Sequence, residues 1–161
     1  MKDIRIGHGF DVHRFGAAQP LRLGGVEIAS SRGGLQGHSD ADVVAHAVAS
    51  ALLGSLALGD LGTHFPDTEP RWKGASSLDL LAHVVALVQA KGYRLHHCDV
   101  TVVAEEPRLA PHIEAMRRNL AAVLQSRIED VSIKATRAEK LGALGRVEGI
   151  AAQAVVLVVL D

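Results

Sequence analysis

The run Val155-Val156-Leu157-Val158-Val159-Leu160 is apolar at every position and ends a longer segment, Gly149–Leu160, that predicts a β-strand. A strand with one buried face alternates apolar and polar residues, whereas an unbroken apolar run indicates two covered faces. We therefore expect this strand to be central in its sheet, or to be covered on its second face by another subunit.

Segments with helical and strand patterns precede this strand. The sequence Ser39-Asp40-Ala41-Asp42 matches a capping pattern, and the apolar residues after it predict a helix that opens at Ser39 and ends at Gly54 or Gly59. Together the elements predict an α+β two-layer sandwich, with a mixed or antiparallel sheet and helices on one face. The other predicted elements are helices over 77–91 and 111–125, strands over 4–15, 95–104 and 131–136, and a hairpin or bulged strand over 21–28.

Composition bounds the class of protein. The 161 residues are 48% hydrophobic, which predicts one folded domain spanning 1–161. A net charge of -1 and 3% aromatic residues argue against nucleic acid as a partner. The apolar runs are too short to cross a membrane, and Met1–Arg5 lacks signal or transit features. We therefore expect a cytoplasmic protein with no membrane partner.

The single cysteine, Cys98, has no partner for an internal disulfide. It follows two histidines and precedes Asp99, and this cluster of four residues resembles a metal site. However, Cys98 also begins the apolar run 100–104, where a lone cysteine usually packs as a small hydrophobe. We therefore expect Cys98 to pack as a small hydrophobic residue and not to bind a metal.

Three residues could form a metal site. Asp11 and His13 lie two apart on a predicted strand and so share a face, and His46 lies on a predicted helix between two alanines. Two histidines and one carboxylate are typical ligands of a catalytic zinc ion that keeps its fourth position open. Spacing alone leaves open a surface pair for Asp11 and His13, and a hydrogen-bonded core histidine for His46.

Four further segments carry polar groups suited to phosphates or cations. Segment 37–40 leads into the N-terminus of the first predicted helix, which either binds phosphate through its free amides or is an ordinary capped helix end. Segments 58–62 and 65–68 place acids in loops broken by glycine or proline, although turn formation explains them equally. Segment 134–142 combines a hydroxyl group, cations and an acid, which suits a diphosphate with magnesium. Polar strand ends are common, so this segment alone decides little.

The motifs occur in a fixed order along the chain: GHGFDVH at 7–13, GHSDAD at 37–42, ALLG at 51–54, LGDLG at 58–62, FPDT at 65–68, KAT at 134–136 and EKLG at 139–142. In this order they resemble the 2-C-methyl-D-erythritol 2,4-cyclodiphosphate synthases, a family of the non-mevalonate isoprenoid pathway. The resemblance runs from Ile4 to Leu160. Members are phosphorus-oxygen lyases that convert 4-diphosphocytidyl-2-C-methyl-D-erythritol 2-phosphate to the cyclic diphosphate and CMP.

The resemblance implies a homotrimer, with sheets packed around a threefold axis and active sites between neighbouring subunits. It implies zinc held by Asp11, His13 and His46, and magnesium or manganese at Glu139. It also implies transition-state roles for His38 and Arg137. The implied substrate-binding residues are Asp11, Val12, His13, His38, Ser39, Asp60, Leu61, Gly62, Phe65 and Asp67 of one subunit, with Ala104, Pro107, Arg108, Leu109, Ala110, Thr136, Arg137, Glu139 and Arg146 also contributing.

Some positions depart from the family pattern. Ser50 stands where many members have an acid, Arg137 where many have threonine, and Ala143 where many have an aromatic residue. Glu105-Glu106 also makes the implied cytosine loop more acidic. These departures affect the expected rate more than the expected reaction.

Two other functions remain open from the residues. A zinc-dependent phosphohydrolase would use the open metal position to activate water. A weakly active, cytidine-nucleotide-binding trimer would bind without turnover. Linear products would favour the first function, and tight binding without products would favour the second.

Overall fold

The structure, a computed structural model, describes residues 3–161, so residues 1 and 2 of the predicted domain lie outside it. Within these described residues there are seven strands: β1 (Ile4–Ala17), β2 (Leu21–Leu23), β3 (Val26–Ile28), β4 (Gly34–Leu35), β5 (Tyr93–Val103), β6 (Val131–Thr136) and β7 (Gly149–Leu160). The same part of the chain contains five α-helices: α1 (Val43–Ser55), α2 (Leu61–His64), α3 (Ser77–Ala90), α4 (Ile113–Leu124) and α5 (Gly142–Gly145). None of the helices in residues 3–161 is long and apolar enough to cross a membrane.

Five strands form one mixed sheet in the order β4-β1-β7-β5-β6. Only β5 and β6 pair in parallel; the other neighbours are antiparallel. The helix α1 packs on β1 and β7, α3 packs on α1, and α4 packs on α3 and β6. The predicted α+β class, mixed sheet and one-sided helix layer are confirmed. The last strand, β7, is the middle strand of five, which is one of the two arrangements that its unbroken apolar run predicts.

Two glycines of β1 allow α1 to lie directly on the strand. A Cβ atom at Gly7 would lie 1.9 Å from the carbonyl oxygen of Ala51, and one at Gly9 would lie 2.0 Å from that of Ala47. Contacts under 3.0 Å are essentially never seen for Cβ atoms, so a side chain at either position would push the helix away. The close approach also brings His46, beside Ala47, down onto β1.

The predicted start of the first helix at Ser39 is wrong. Helix α1 begins at Val43, and the side chain of Asp42 caps it by accepting hydrogen bonds from the amides of Val44 and Ala45. The same buried carboxylate accepts the amides of the β2–β3 turn at 2.9 Å and 2.7 Å. Because Asp42 can bond four amides at once, it caps the helix in place of Ser39, three residues further along the chain.

The second face of the sheet is open and apolar in its β1 and β7 part. Side chains at even positions of β1 point away from the helices, and Ile6, Phe10 and Val12 remain 67%, 53% and 49% exposed. Val155 of β7 lies on the same face and is also exposed. Contiguous apolar surface of this kind is typical of an interaction site.

Candidate active site

The structure brings Asp11, His13 and His46 together at the contact between β1 and α1. The Oδ2 atom of Asp11 lies 2.9 Å from Nδ1 of His46 and 3.2 Å from Nε2 of His13. Ligands about 2 Å from one tetrahedral ion are separated by roughly 3.3 Å, so this spacing fits a single zinc-sized cation. Within residues 3–161, this is the one group of at least three acidic, histidine or cysteine side chains close enough to share an ion.

Hydrogen bonds orient both imidazoles for this role. The Nδ1 atom of His13 lies 2.5 Å from the carbonyl oxygen of Gln36, which can only accept, so Nδ1 carries the proton of the neutral ring. In that neutral ring Nε2, which faces Asp11, has the lone pair that a metal ion would use. His46 presents the opposite nitrogen, because Nδ1 faces Asp11 and Nε2 faces the hydroxyl groups of Ser39 and Ser77. The donor set can therefore hold a divalent metal, with Nε2 of one ring and Nδ1 of the other.

The charge of Asp11 is stabilised in this cluster. Burial raises the pKa of its carboxyl group, but the contacts with the imidazoles of His13 and His46 lower it by more, so the pKa lies well below its ordinary value. The pKa of His13 is raised by its hydrogen bond to Asp11, which burial only partly opposes. The result is an ionised carboxylate between two imidazoles.

A cavity of about 330 Å³ opens beside the cluster. His38 reaches it from the loop before α1 and is held near the carbonyl oxygen of Glu69, 3.4 Å from its Nε2 atom. Sequence reasoning missed Trp72 and Leu80, because apolar residues in a loop and on a helix give no sign that they face a site. Of the predicted residues, the cavity is lined by Asp11, His13, His38, Ser39, His46, Leu61, Gly62, Phe65 and Asp67.

Two predicted residues on this side do not line the cavity. Val12 points to the open face of the sheet, opposite to Asp11 and His13. Asp60 caps α2 by accepting hydrogen bonds from the amide and hydroxyl group of Thr63. Their roles in substrate binding remain predictions. The start of α1 is capped by the carboxylate of Asp42, so the amides of Val44 and Ala45 are already bonded. A phosphate-binding role for segment 37–40 remains a prediction.

A second cavity, of about 390 Å³, lies at the ends of β5 and β6. Two hydrogen bonds join its two loops: the amide of Ala104 donates to the carbonyl oxygen of Thr136, and the amide of Ala138 donates to the carboxylate of Glu105, both at 3.0 Å. Glu105, noted in the sequence only for its charge, is thus a link between the loops. The predicted residues that line this cavity are Ala104, Pro107, Arg108, Leu109, Ala110, Thr136, Arg137 and Glu139.

The two cavities share no lining residue. In the sheet register Asp11 lies level with Ala152, Val102 and Ala135, so the metal cluster and the end of β6 are at the same level but three strand spacings apart. Three spacings amount to about 14 Å. Arg146 lines neither cavity and pairs instead with Glu148 at 2.7 Å.

Comparison with known proteins adds to this geometry. A model of the YgbB family matches residues 4–159. The chain belongs to the YgbB family. This YgbB-family chain is 60% identical over 154 residues to the 2-C-methyl-D-erythritol 2,4-cyclodiphosphate synthase of Shewanella baltica, covering 96% of this chain and 95% of that protein. The corresponding Shewanella loihica enzyme is 57% identical over 155 residues, covering 96% of each chain. The resemblance expected from the motifs is confirmed.

Solved structures place the YgbB-family fold beside the same enzymes. The bifunctional IspDF from Campylobacter jejuni matches all of this chain with a TM-score of 0.95 and 40% identity, and this chain spans 43% of that protein. The CDP complex of Plasmodium falciparum IspF matches all of this chain and 99% of its own length, with a TM-score of 0.86 and 29% identity. A CDP-bound cyclodiphosphate synthase matches 96% of this chain and 99% of its own length, with a TM-score of 0.87 and 36% identity.

Proposed function

We propose that this chain is a 2-C-methyl-D-erythritol 2,4-cyclodiphosphate synthase of isoprenoid biosynthesis, a phosphorus-oxygen lyase that releases CMP. The carrying observation is the Asp11–His13–His46 cluster, with both imidazoles directed at one point, in a chain 60% identical to the Shewanella baltica synthase. The substrate is 4-diphosphocytidyl-2-C-methyl-D-erythritol 2-phosphate. The two separate cavities favour this substrate over a simple phosphate ester, because a nucleotide and a sugar phosphate need two pockets.

The reaction is an intramolecular phosphoryl transfer. An oxygen of the 2-phosphate forms a bond to the β-phosphorus, the bond from that phosphorus to the bridging oxygen breaks, and the oxygen leaves on CMP with the electron pair. No protein nucleophile takes part, so catalysis depends on positioning and on stabilising the phosphate charge. Zinc and magnesium supply Lewis acids when bound.

Named residues divide this work. Asp11, His13 and His46 hold zinc beside the first cavity. His38 faces the same cavity and is placed to donate a hydrogen bond to a phosphate oxygen. Phe65, Leu61 and Gly62 form an apolar wall against the carbon chain of the substrate, while Asp67 offers a carboxylate to its hydroxyl groups.

The second cavity supplies the nucleotide half of the site. Its wall from Ala104 to Ala110 is proposed to bind cytosine, and Thr136 to bind the diphosphate. Glu139 is proposed to hold magnesium or manganese. Arg137, where many relatives carry threonine, brings a guanidinium group that can make charge-assisted hydrogen bonds to phosphate.

A homotrimer supplies both halves at one place. Within one chain the two halves are about 14 Å apart in the plane of the sheet, and the exposed apolar side chains of Ile6, Phe10 and Val155 lie on the face opposite to the helices. Packing three such faces around an axis buries this surface and lets the first cavity of one copy meet the second cavity of its neighbour. Head-to-tail contacts of this kind close into rings.

Phosphorus NMR tests the proposed reaction. The protein is incubated with the cytidyl diphosphate substrate, zinc and magnesium, and the products are compared before and after chelation. Metal-dependent formation of CMP and a cyclic diphosphate is expected, and the His46→Ala variant is expected to lose both zinc and product. Inorganic phosphate or a linear product would indicate a phosphohydrolase, and binding of CDP without turnover would indicate a binding protein.

A further inference from the structure

A chain of polar contacts continues behind His46, away from the metal position. The Nε2 atom of His46 lies 2.9 Å from the hydroxyl oxygen of Ser77, and this hydroxyl group contacts the carboxylate of Asp40. Ser77 is only 1% exposed. Asp40 also accepts the backbone amide of Ser77 at 3.2 Å, so it holds both polar groups of the first residue of α3.

The chemistry of these groups fixes the direction of each hydrogen bond. An ionised carboxylate can only accept, so the single hydroxyl proton of Ser77 is donated to Asp40. The oxygen of Ser77 can then only accept from His46. Nε2 of His46 therefore carries the ring proton, and Nδ1 keeps a lone pair directed toward Asp11.

We propose that Asp40 and Ser77 are positioning residues that hold His46 in the tautomer and ring orientation needed to bind zinc through Nδ1. The proposal rests on the metal site of the proposed function. It supplies a partner for the second ring nitrogen of this histidine. Histidine ligands usually donate their second N–H to such a partner, and its loss typically weakens metal binding about 10–100-fold.

Ser39 provides a matched control within the same site. Its hydroxyl oxygen lies 3.2 Å from Nε2 of His46, almost as close as that of Ser77. However, it accepts the backbone amide of Ala41 at 3.2 Å and contacts Ser77 rather than a carboxylate. The orientation of its proton is therefore not set by an anion, and its removal should leave the tautomer of His46 unchanged.

Zinc affinity tests the proposal directly. The dissociation constant for zinc is measured by competition with a chelating dye for the wild type and the variants Ser77→Ala, Asp40→Asn and Ser39→Ala. Ser77→Ala and Asp40→Asn are each expected to weaken zinc binding about 10–100-fold, and Ser39→Ala less than about threefold. Because the two residues act through one hydrogen-bond chain, the double variant should lose no more zinc affinity than the single variant with the larger loss.

The outcomes separate this inference from the proposed function. If the wild type fails to bind one zinc ion, both are overturned. If the wild type binds zinc and a folded Ser77→Ala variant binds it equally well, or if the two losses multiply, only the inference fails. A nitrogen-15 spectrum of the zinc-loaded wild type needs no variant: a proton on Nε2 of His46 supports the proposal, and a proton on Nδ1 overturns it.

Discussion

Adding a methyl group at Gly9 should separate the two elements that form the metal site. In Gly9→Ala the new Cβ atom would lie 2.0 Å from the carbonyl oxygen of Ala47, so α1 must retreat by about 1 Å to restore a 3.0 Å contact. His46 directly precedes Ala47, so the 2.9 Å contact between His46 and Asp11 would lengthen to about 3.9 Å. Overpacking of this kind costs about 1–3 kcal/mol of unfolding free energy.

The same displacement should weaken zinc binding, because metal–ligand distances tolerate deviations of only about 0.2 Å. We expect Gly9→Ala to lose at least about tenfold in zinc affinity, and to lower the Tm by about 2–4 °C for each kcal/mol lost. The Tm is measured by calorimetry and the zinc affinity by dye competition, at the same protein concentration for every variant.

Gly54→Ala is the matched control for this experiment. Gly54 lies in α1, and a Cβ atom there would lie 3.8 Å from the nearest atom, the carbonyl oxygen of His8, which is an ordinary contact. Alanine is favoured over glycine within a helix by about 0.5–1 kcal/mol, so this variant should gain stability and keep its zinc affinity. A Gly9→Ala protein with wild-type Tm and zinc affinity would refute the argument that the close packing of α1 on β1 creates the site.

Three other predictions address the thiol, the nucleotide loops and the assembly. Burial raises the pKa of Cys98 to about 12, so the thiol of the native protein should resist a disulfide reagent at about pH 8. The urea-unfolded chain should react fully. Rapid reaction of the native protein would contradict this prediction. Glu105→Ala should weaken CDP binding up to about tenfold, because it removes the acceptor of the Ala138 amide. Glu105→Gln keeps an acceptor, so its affinity for CDP should stay near that of the wild type. Equal losses of affinity in both variants would argue against the link between the two loops. Ile6→Asp places a charge on the open face and should dissociate the proposed trimer, as measured by analytical sedimentation. Leu87→Asp, on the helix layer, should leave the assembly unchanged. An Ile6→Asp protein that sediments like the wild type would argue against packing through the open face.

Much of the fold follows from local patterns. The unbroken apolar run near the end of the chain predicted either a central strand or a covered second face, and β7 is central. Periodicity located α3, α4 and β6 closely. The start of α1 was missed because Ser39 and Asp42 both suit a helix cap, and the choice depends on a distant turn. Only after folding do the amides of Gly24 and Gly25 reach the carboxylate of Asp42. The short elements β4, α2 and α5 are too brief to show periodicity.

The metal cluster could be predicted because its residues obey simple periodicities. A two-residue spacing places Asp11 and His13 on one face of a strand, and the residue types already suggested His46 as their partner. The resemblance then favoured His46 as a metal ligand over a hydrogen-bonded core histidine. Nothing local connects Ser77 to His46, because the contact depends on α3 packing against α1 across 31 residues of sequence. For the same reason the sequence could not predict the hydrogen bond between Glu105 and the amide of Ala138, in the loop after β6.

Mixing two inactive variants tests most directly the central claim that each active site joins two copies of the chain. Asp11→Asn removes the first half of the site and Glu139→Gln removes the second, so each variant alone should form little cyclic diphosphate. After the two are unfolded and refolded together, mixed trimers contain an intact first half beside an intact second half of a neighbour. Phosphorus NMR should then show CMP and cyclic diphosphate again. A mixed assembly that forms no product, under conditions where the refolded wild type is active, would contradict the claim.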